Sequence, residues 1–231
     1  MRTALSYEWT CNVCGTEIFN EGYFCKECNE KLKIISACRC NHCGRLTENP
    51  TLFCESCSGK NTNFDMARSV YAYNESVAKI ITNFKYHSKT YLQDIFAEEL
   101  VDLYLSNFLL ADYLTYIPMT EERFNERGYN QSKLIADKMS EKLQIPVLDL
   151  VDKVVETTRQ ATLTASERQS NLKNSFKGKK IDLTGKTVIV IDDVLTTGVT
   201  MDLVAKELKK MGAEKVYALT VASVGKKINQ L

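Results

Sequence analysis

From residue 64 onward, short apolar runs alternate with longer segments whose apolar positions recur every three or four residues. Runs of the first kind predict strands and segments of the second kind predict helices. The predicted strands are Arg68–Tyr73, Tyr113–Ile117 (ending at Pro118), Thr187–Ile191 and Val216–Val221. Glu75 to about Tyr104 reads as helical, with an interruption near His87 and Ser88. Gln131–Lys142 is predicted helical with Leu134, Ile135 and Met139 on one side, and Thr200–Met211 is a helix closed by Gly212. Strand–helix alternation of this kind predicts an α/β fold with a central parallel sheet over residues 64–231. Gly59-Lys60-Asn61-Thr62-Asn63 is polar and reads as a linker before it.

Composition divides the chain at the same place. All nine cysteines precede residue 58. The rest is that of an ordinary globular protein, 44% hydrophobic and 26% charged. A formal net charge of +1 gives no global attraction to nucleic acid or membrane, so either partner would need a local patch. No uncharged apolar run nears the ~18 residues of a transmembrane helix. Met1 to Thr10 lack the basic start and apolar core of a signal peptide, so the expected location is the cytoplasm.

In that compartment paired cysteines point to metal rather than disulfides. Cys11-x-x-Cys14 with Cys25-x-x-Cys28, and Cys40-x-x-Cys43 with Cys54-x-x-Cys57, repeat with an offset of 29 residues that also maps Gly15 onto Gly44 and Phe24 onto Phe53. Each C-x-x-C turn places two thiolates on one side of a cation, and two turns complete a tetrahedron. Residues 1–60 are thus expected to form a double zinc ribbon module with two structural zincs. One zinc per repeat is preferred over a cross-brace, which the sequence leaves open. Buried apolar cysteines would not explain the repeat, and a redox C-x-x-C would leave its partners unexplained. Cys38 is left over, as a spare thiol or a substitute for Cys40. His42 is expected to point outward. With seven Lys/Arg, seven Asp/Glu and two Zn²⁺ on eight thiolates the module is net negative, which favours folding or docking over nucleic-acid contact.

The most informative segment is Val188-Ile-Val-Ile-Asp192-Asp193-Val-Leu195-Thr196-Thr197-Gly198-Val-Thr200. A buried strand runs into two carboxylates, then into a Thr/Gly loop that opens a helix. Free N–H groups at a helix N-terminus, aided by threonine hydroxyls, make an anion site. The loop should therefore hold a phosphate, while the aspartates accept from sugar hydroxyls or hold Mg²⁺. It is neither a Walker A loop nor G-x-G-x-x-G. A ligand-free strand–turn–helix would not explain two acids at a buried strand end.

Val188–Thr200 resembles the 5-phosphoribosyl-1-pyrophosphate (PRPP) motif of type I phosphoribosyltransferases. The resemblance implies that fold. It places Asp192 and Asp193 on the ribose 2′- and 3′-hydroxyls, and Leu195, Thr196, Thr197, Gly198 and Thr200 around the 5′-phosphate. Ile117-Pro118-Met119 and Arg127-Gly128-Tyr129-Asn130-Gln131 resemble the pyrophosphate-loop region of the ComF branch, although Met119 and Tyr129 replace residues more usual there. That makes Arg127 and Gly128 the pyrophosphate candidates, and Asp192, Asp193 and Arg127 the catalytic ones. Arg159-Gln160, Leu163, Arg168, Asn171 and Phe176 resemble the branch's flexible loop. With the cysteine repeat, nearly all 231 residues resemble that branch.

If the domain is catalytic, the implied reaction displaces pyrophosphate from C1 of PRPP, with Mg²⁺ and cationic groups stabilising the leaving group. Arg159–Lys180 holds six Lys/Arg and one Asp/Glu and is expected to be a mobile lid; a solvated basic loop is the plainer reading. Arg159, Arg168, Lys173, Lys177 and Lys179 are also its candidates for single-stranded DNA. Phe84-Lys85-Tyr86-His87 forms a basic and aromatic cluster in which Phe84 and Tyr86 are expected in the core, and His87 is a weak general-base candidate. Three functions remain open: an active phosphoribosyltransferase with an unassigned acceptor, a PRPP-binding module working through partners, and a DNA-handling protein. Family resemblance implies natural transformation, with single-stranded DNA handled at the inner face of the membrane beside a helicase-like ComFA partner.

Overall fold

The structure, a computed structural model of the chain, describes residues 10–18, 22–86, 89–154 and 175–225. Its centre is a four-stranded parallel sheet in the order β1-β6-β5-β2, formed by Met66–Ala72 (β1), Tyr113–Tyr116 (β2), Thr187–Leu195 (β5) and Lys215–Ser223 (β6). The two long central strands explain the sequence pattern. Ile189 and Ile191 of β5 pack with Leu219 and Val221 of β6 into one core, while Val188 and Val190 pack with Val216 and Ala218 into another. Both faces are buried, so the strands read as continuous apolar runs instead of alternating ones. Each of these isoleucines, fully buried, contributes about 1.5–3 kcal/mol.

Helices cover both faces. Glu75–Tyr86 (α2), Leu92–Ser106 (α3) and Gln131–Leu143 (α5) supply Val77, Ile80, Phe84, Phe96, Leu100, Ile135 and Met139 to the first core. Val199–Lys210 (α6) supplies Met201, Val204, Ala205 and Leu208 to the second. The predicted break in the long helical segment is confirmed as the end of α2 and the start of α3. Lys26–Lys31 (α1), Glu121–Arg127 (α4) and the antiparallel pair Val151–Lys153 (β3) and Phe176–Gly178 (β4) complete the elements. α4 escapes the periodicity because it buries no residue; it is held by its caps, Thr120 at the start and left-handed Gly128 (φ 79°) at the end. Phe176–Gly178 lies in the segment expected to be a mobile lid, yet it pairs with Val151–Lys153. Residues 155–174, with Arg159, Arg168 and Lys173, lie outside the described residues, as does His87.

The second cysteine repeat lies on β1, where the Ala67 N–H donates to the His42 carbonyl, and the first lies on α2 and the start of α3 through Asn12. Between them, Ile34 bridges Tyr71 and the Ile35 N–H donates to the Val70 carbonyl at 2.8 Å, which covers the β1 edge. The expected linker is not slack. Thr62 Oγ1 meets His42 Nε2 at 2.6 Å, and Asn63 bonds the Asp202 carboxylate on α6 through its backbone N–H (2.5 Å) and Nδ2 (3.0 Å). Among the described residues no helix is long and apolar enough to cross a membrane.

Candidate functional site

Each cysteine repeat folds into one four-thiol group, Cys11, Cys14, Cys25 and Cys28 in the first and Cys40, Cys43, Cys54 and Cys57 in the second. The pairing is sequential, which removes the cross-brace. The repeat is also visible in the backbone: Thr10 bridges Glu17 and Arg39 bridges Leu46, and the N–H groups of Gly15 and Gly44 donate to the carbonyls of Cys11 and Cys40. The thiols fit zinc. Zn–S bonds of about 2.3 Å give a tetrahedron with sulfur–sulfur edges of about 3.8 Å. Cys14 Sγ and Cys25 Sγ lie 3.7 Å apart, as do Cys43 Sγ and Cys54 Sγ, and all ligand atoms within each group are within 4.8 Å of one another. Burial pushes the Cys57 thiol up to about 11 and raises Cys28 and Cys43, whereas hydrogen bonding with Thr16 pulls Cys14 down to about 6. A central dication removes that conflict by holding all four as thiolates. Cys38 stands outside both groups, and His42 stacks on Phe64 at 5.0 Å instead of facing a thiol group.

The two aspartates lie inside β5, near its carboxyl end, where ligands of open parallel sheets bind. Asp192 Oδ1 accepts from Ser132 Oγ at 3.0 Å, and from the Asp193 backbone N–H at 2.9 Å. Asp193 is buried, and its Oδ2 pairs with Lys85 Nζ at 2.7 Å. Burial, then the neighbouring Asp193 carboxylate, push Asp192 up to about 7, against partial relief from Lys85. A carboxyl whose folded pKa exceeds the unfolded value near 3.9 binds its proton more tightly in the folded state. Its contribution to stability is therefore largest below about pH 4 and is lost as the pH rises to about 7. Replacing Asp192 by Asn should flatten the fall in thermal stability across that window, by up to ~1.4 kcal/mol per pH unit. A pH series of melting temperatures for the two proteins checks this; parallel curves would contradict it. Glu99, which burial raises to about 7 next to Tyr71, keeps a residual slope in both.

Beyond Asp193 the strand turns through Leu195, which is buried, to Thr196 and Thr197, which are exposed. Gly198 adopts φ +85° as N-cap of α6, a conformation that a side chain would strain, and offers no capping side chain of its own; Thr197 Oγ1 accepts from the Val199 N–H at 3.4 Å. The first turn, Val199 and Thr200, is exposed, so a ligand anion can reach the Thr200 N–H and compete with Thr197 Oγ1 for the Val199 N–H.

Arg127 ends α4, and Gly128 follows as its left-handed cap. The Arg127 guanidinium donates to Tyr86 Oη at 2.7 Å and to Gln131 Oε1 at 3.1 Å, and lies 4.7 Å from the Tyr86 ring centroid. Tyr86, expected in the core, is therefore exposed, and only Phe84 is buried. Consecutive residues at the end of α2 serve both candidate subsites, Lys85 the aspartate pair and Tyr86 the arginine. Gln131 Nε2 is buried without a hydrogen-bond partner among the described residues, a donor beside Arg127 that a ligand oxygen would satisfy.

The basic patch is only partly in view. Lys177 is exposed on β4, whereas Lys179 Nζ pairs with Asp149 (2.6 Å) and Asp152 (3.3 Å), so its charge is neutralised within the protein. Ser132 and Arg45, which donates to the Thr196 carbonyl, were not singled out by sequence, and Lys85 was named only within a cluster. Lys85 had one signal, the basic and aromatic cluster; Ser132 and Arg45 had none, because their partners are 60 and 151 residues away.

The family description "Phosphoribosyl transferase domain" matches residues 130–230, and "Double zinc ribbon domain" matches residues 4–58. "Competence protein F" of Haemophilus influenzae is 31% identical over 161 residues, 65% of this chain and 69% of that protein. The chain belongs to the competence protein F (ComF) family. "Competence protein ComFC" of Bacillus subtilis is 27% identical over 156 residues, 67% of this chain and 62% of that protein. "DNA utilization protein YhgH" of Escherichia coli is 33% identical over 108 residues, 46% of this chain and 47% of that protein. The ComF chain therefore combines a type I phosphoribosyltransferase fold, whose parallel sheet and β5–loop–α6 unit are described above, with an N-terminal double zinc ribbon.

Proposed function

We propose that this ComF protein binds PRPP, or another ribose 5-phosphate, at Asp192–Thr200 and acts in DNA uptake during natural competence. One observation carries the ligand: two hydrogen-bonded carboxylates at a strand end lead directly into an exposed threonine loop at a glycine-started helix N-terminus. In this reading Asp192 and Asp193 accept from the ribose 2′- and 3′-hydroxyls or carry Mg²⁺. Leu195, Thr196, Thr197, Gly198 and Thr200 surround the 5′-phosphate, and Arg127 with Gly128 faces the pyrophosphate. Mg²⁺ would supply charge neutralisation of the pyrophosphate oxygens. Lys85 is the internal counter-ion that a bound cation would replace on Asp193.

The name "DNA utilization protein YhgH" of one relative supports DNA as the second partner; a helicase-like ComFA partner and recruitment to the inner face of the membrane are part of the same proposal and rest on the resemblance to the ComF branch. Calorimetric titration of Mg–PRPP is the test, and uptake of one equivalent is expected. A chain that takes up no PRPP would overturn the ligand. A pyrophosphate-release assay with base and amine acceptors then separates a transferase from a binding module. Single-stranded DNA affinity should fall steeply with salt. Lys177→Ala should reduce that salt dependence while Lys179→Ala, already paired to aspartates, leaves it unchanged; equal effects of the two would contradict the assignment.

A further inference from the structure

Among the described residues the second zinc ribbon reaches the phosphate loop, and the first does not. Arg45 follows the Cys40–Cys43 turn, and its backbone is tied to that turn: its carbonyl accepts from the Cys40 N–H at 2.9 Å. Its side chain is buried, and Nη2 donates to the carbonyl of Thr196 in the loop. Nε is buried with no hydrogen-bond partner among the described residues. Beside the guanidinium lies a cavity of about 470 Å³, lined on the ribbon side by Cys43 and Cys57 and on the loop side by Thr197 and Gly198.

The ribbon that carries Arg45 cannot slide. A Cβ on Gly44 would sit 2.5 Å from the Ala67 carbonyl oxygen of β1, so the turn is in direct contact with the sheet. The Ala67 N–H donates to the His42 carbonyl at 2.8 Å, and Arg68 Nη1 to the Asn41 carbonyl at 2.9 Å. By contrast, Asn12 of the first ribbon bonds Tyr91 (2.5 Å), just before α3, and Asn83 (3.1 Å), on α2.

We propose that Arg45 is a positioning residue for the phosphate loop, so that zinc at Cys40, Cys43, Cys54 and Cys57 and the phosphate ligand are energetically coupled, whereas zinc at the first site is not. The inference rests on reading Leu195–Thr200 as a phosphate loop. The metal rigidifies the turn that orients Arg45. Arg45 in turn holds the Thr196 carbonyl back, which leaves the N–H side of the loop facing the anion. Coupling between two binding events is reciprocal: whatever factor zinc contributes to ligand affinity, the ligand contributes to zinc affinity at the second site.

The experiment uses the full zinc-loaded chain. Zinc is competed away with a chromogenic chelator, with and without saturating ribose 5-phosphate, in the wild type and in variants lacking one site (Cys14→Ser or Cys54→Ser). Ligand should tighten zinc at the second site about tenfold and leave the first unchanged. Arg45→Gln should weaken ribose 5-phosphate by a similar factor while retaining zinc at both sites, and should abolish the protection; Arg45→Lys should restore part of it. If the Arg45 variants do not fold, the wild-type competition decides alone. Ligand binding that leaves second-site zinc untouched, or that protects both sites equally, overturns the coupling and spares the phosphate reading. A wild type that binds neither ribose 5-phosphate nor PRPP removes both.

Discussion

Asp192→Asn with Asp193→Asn lowers Mg–PRPP affinity by roughly a hundredfold or more in a protein that remains folded. The size follows from the loss of two charge-assisted hydrogen bonds, each worth about 1.5–3 kcal/mol, where 1.4 kcal/mol is a factor of ten. An amide keeps the shape of the carboxylate and can still accept from Ser132 and the Asp193 N–H, so the loop stays placed. What is lost is charge. Lys85 then faces an amide instead of Asp193, a cost moderated because its own side chain is 22% exposed. Calorimetry on both proteins, with thermal melts as the control for folding, makes the comparison. A double variant that binds within threefold of wild type would place the ligand elsewhere.

Gly44→Ala destabilises the protein by about 3 kcal/mol or more, whereas Gly15→Ala, the matching position of the first repeat, costs only about 1 kcal/mol. Both glycines have positive φ, +71° and +76°, so both substitutions carry backbone strain. Only Gly44 adds a collision, 2.5 Å to the Ala67 oxygen and 2.8 Å to the Arg68 Cα, and both are backbone atoms of β1, held in register by its pairing with β6; a Cβ on Gly15 meets nothing within 4 Å. For a chain of this size the first change should lower the melting temperature by roughly 6–12 °C. Scanning calorimetry with zinc quantitation reads both variants, and equal melting temperatures would mean that the second ribbon is not docked as described. Undocking also withdraws Arg45, so Gly44→Ala should weaken ribose 5-phosphate as well.

That contrast shows where sequence reading stops. The 29-residue repeat makes Gly15 and Gly44 equivalent, and the turns they close are alike because a C-x-x-C knuckle is set by adjacent residues. What lies across from each turn is set by distant chain. The same holds at the site. Val188–Thr200 was legible because strand, acids, loop and helix start are contiguous, and their geometry is local. Lys85 was seen only as part of a cluster, Tyr86 was misplaced in the core, and Ser132 and Arg45 carried no pattern at all.

Local spacing by itself determined the eight paired cysteines, the four strands of the sheet with the helices that cover it, and the phosphate-loop candidate, since each depends on residues within a few turns of one another. Tertiary structure alone decided which thiols share a metal, that Lys179 is neutralised by Asp149 and Asp152, that Lys85 and Ser132 hold the aspartates, and that the second ribbon touches Thr196. Those contacts are made by single polar side chains whose partners are chosen by packing, and packing of a parallel sheet joins segments far apart in the chain.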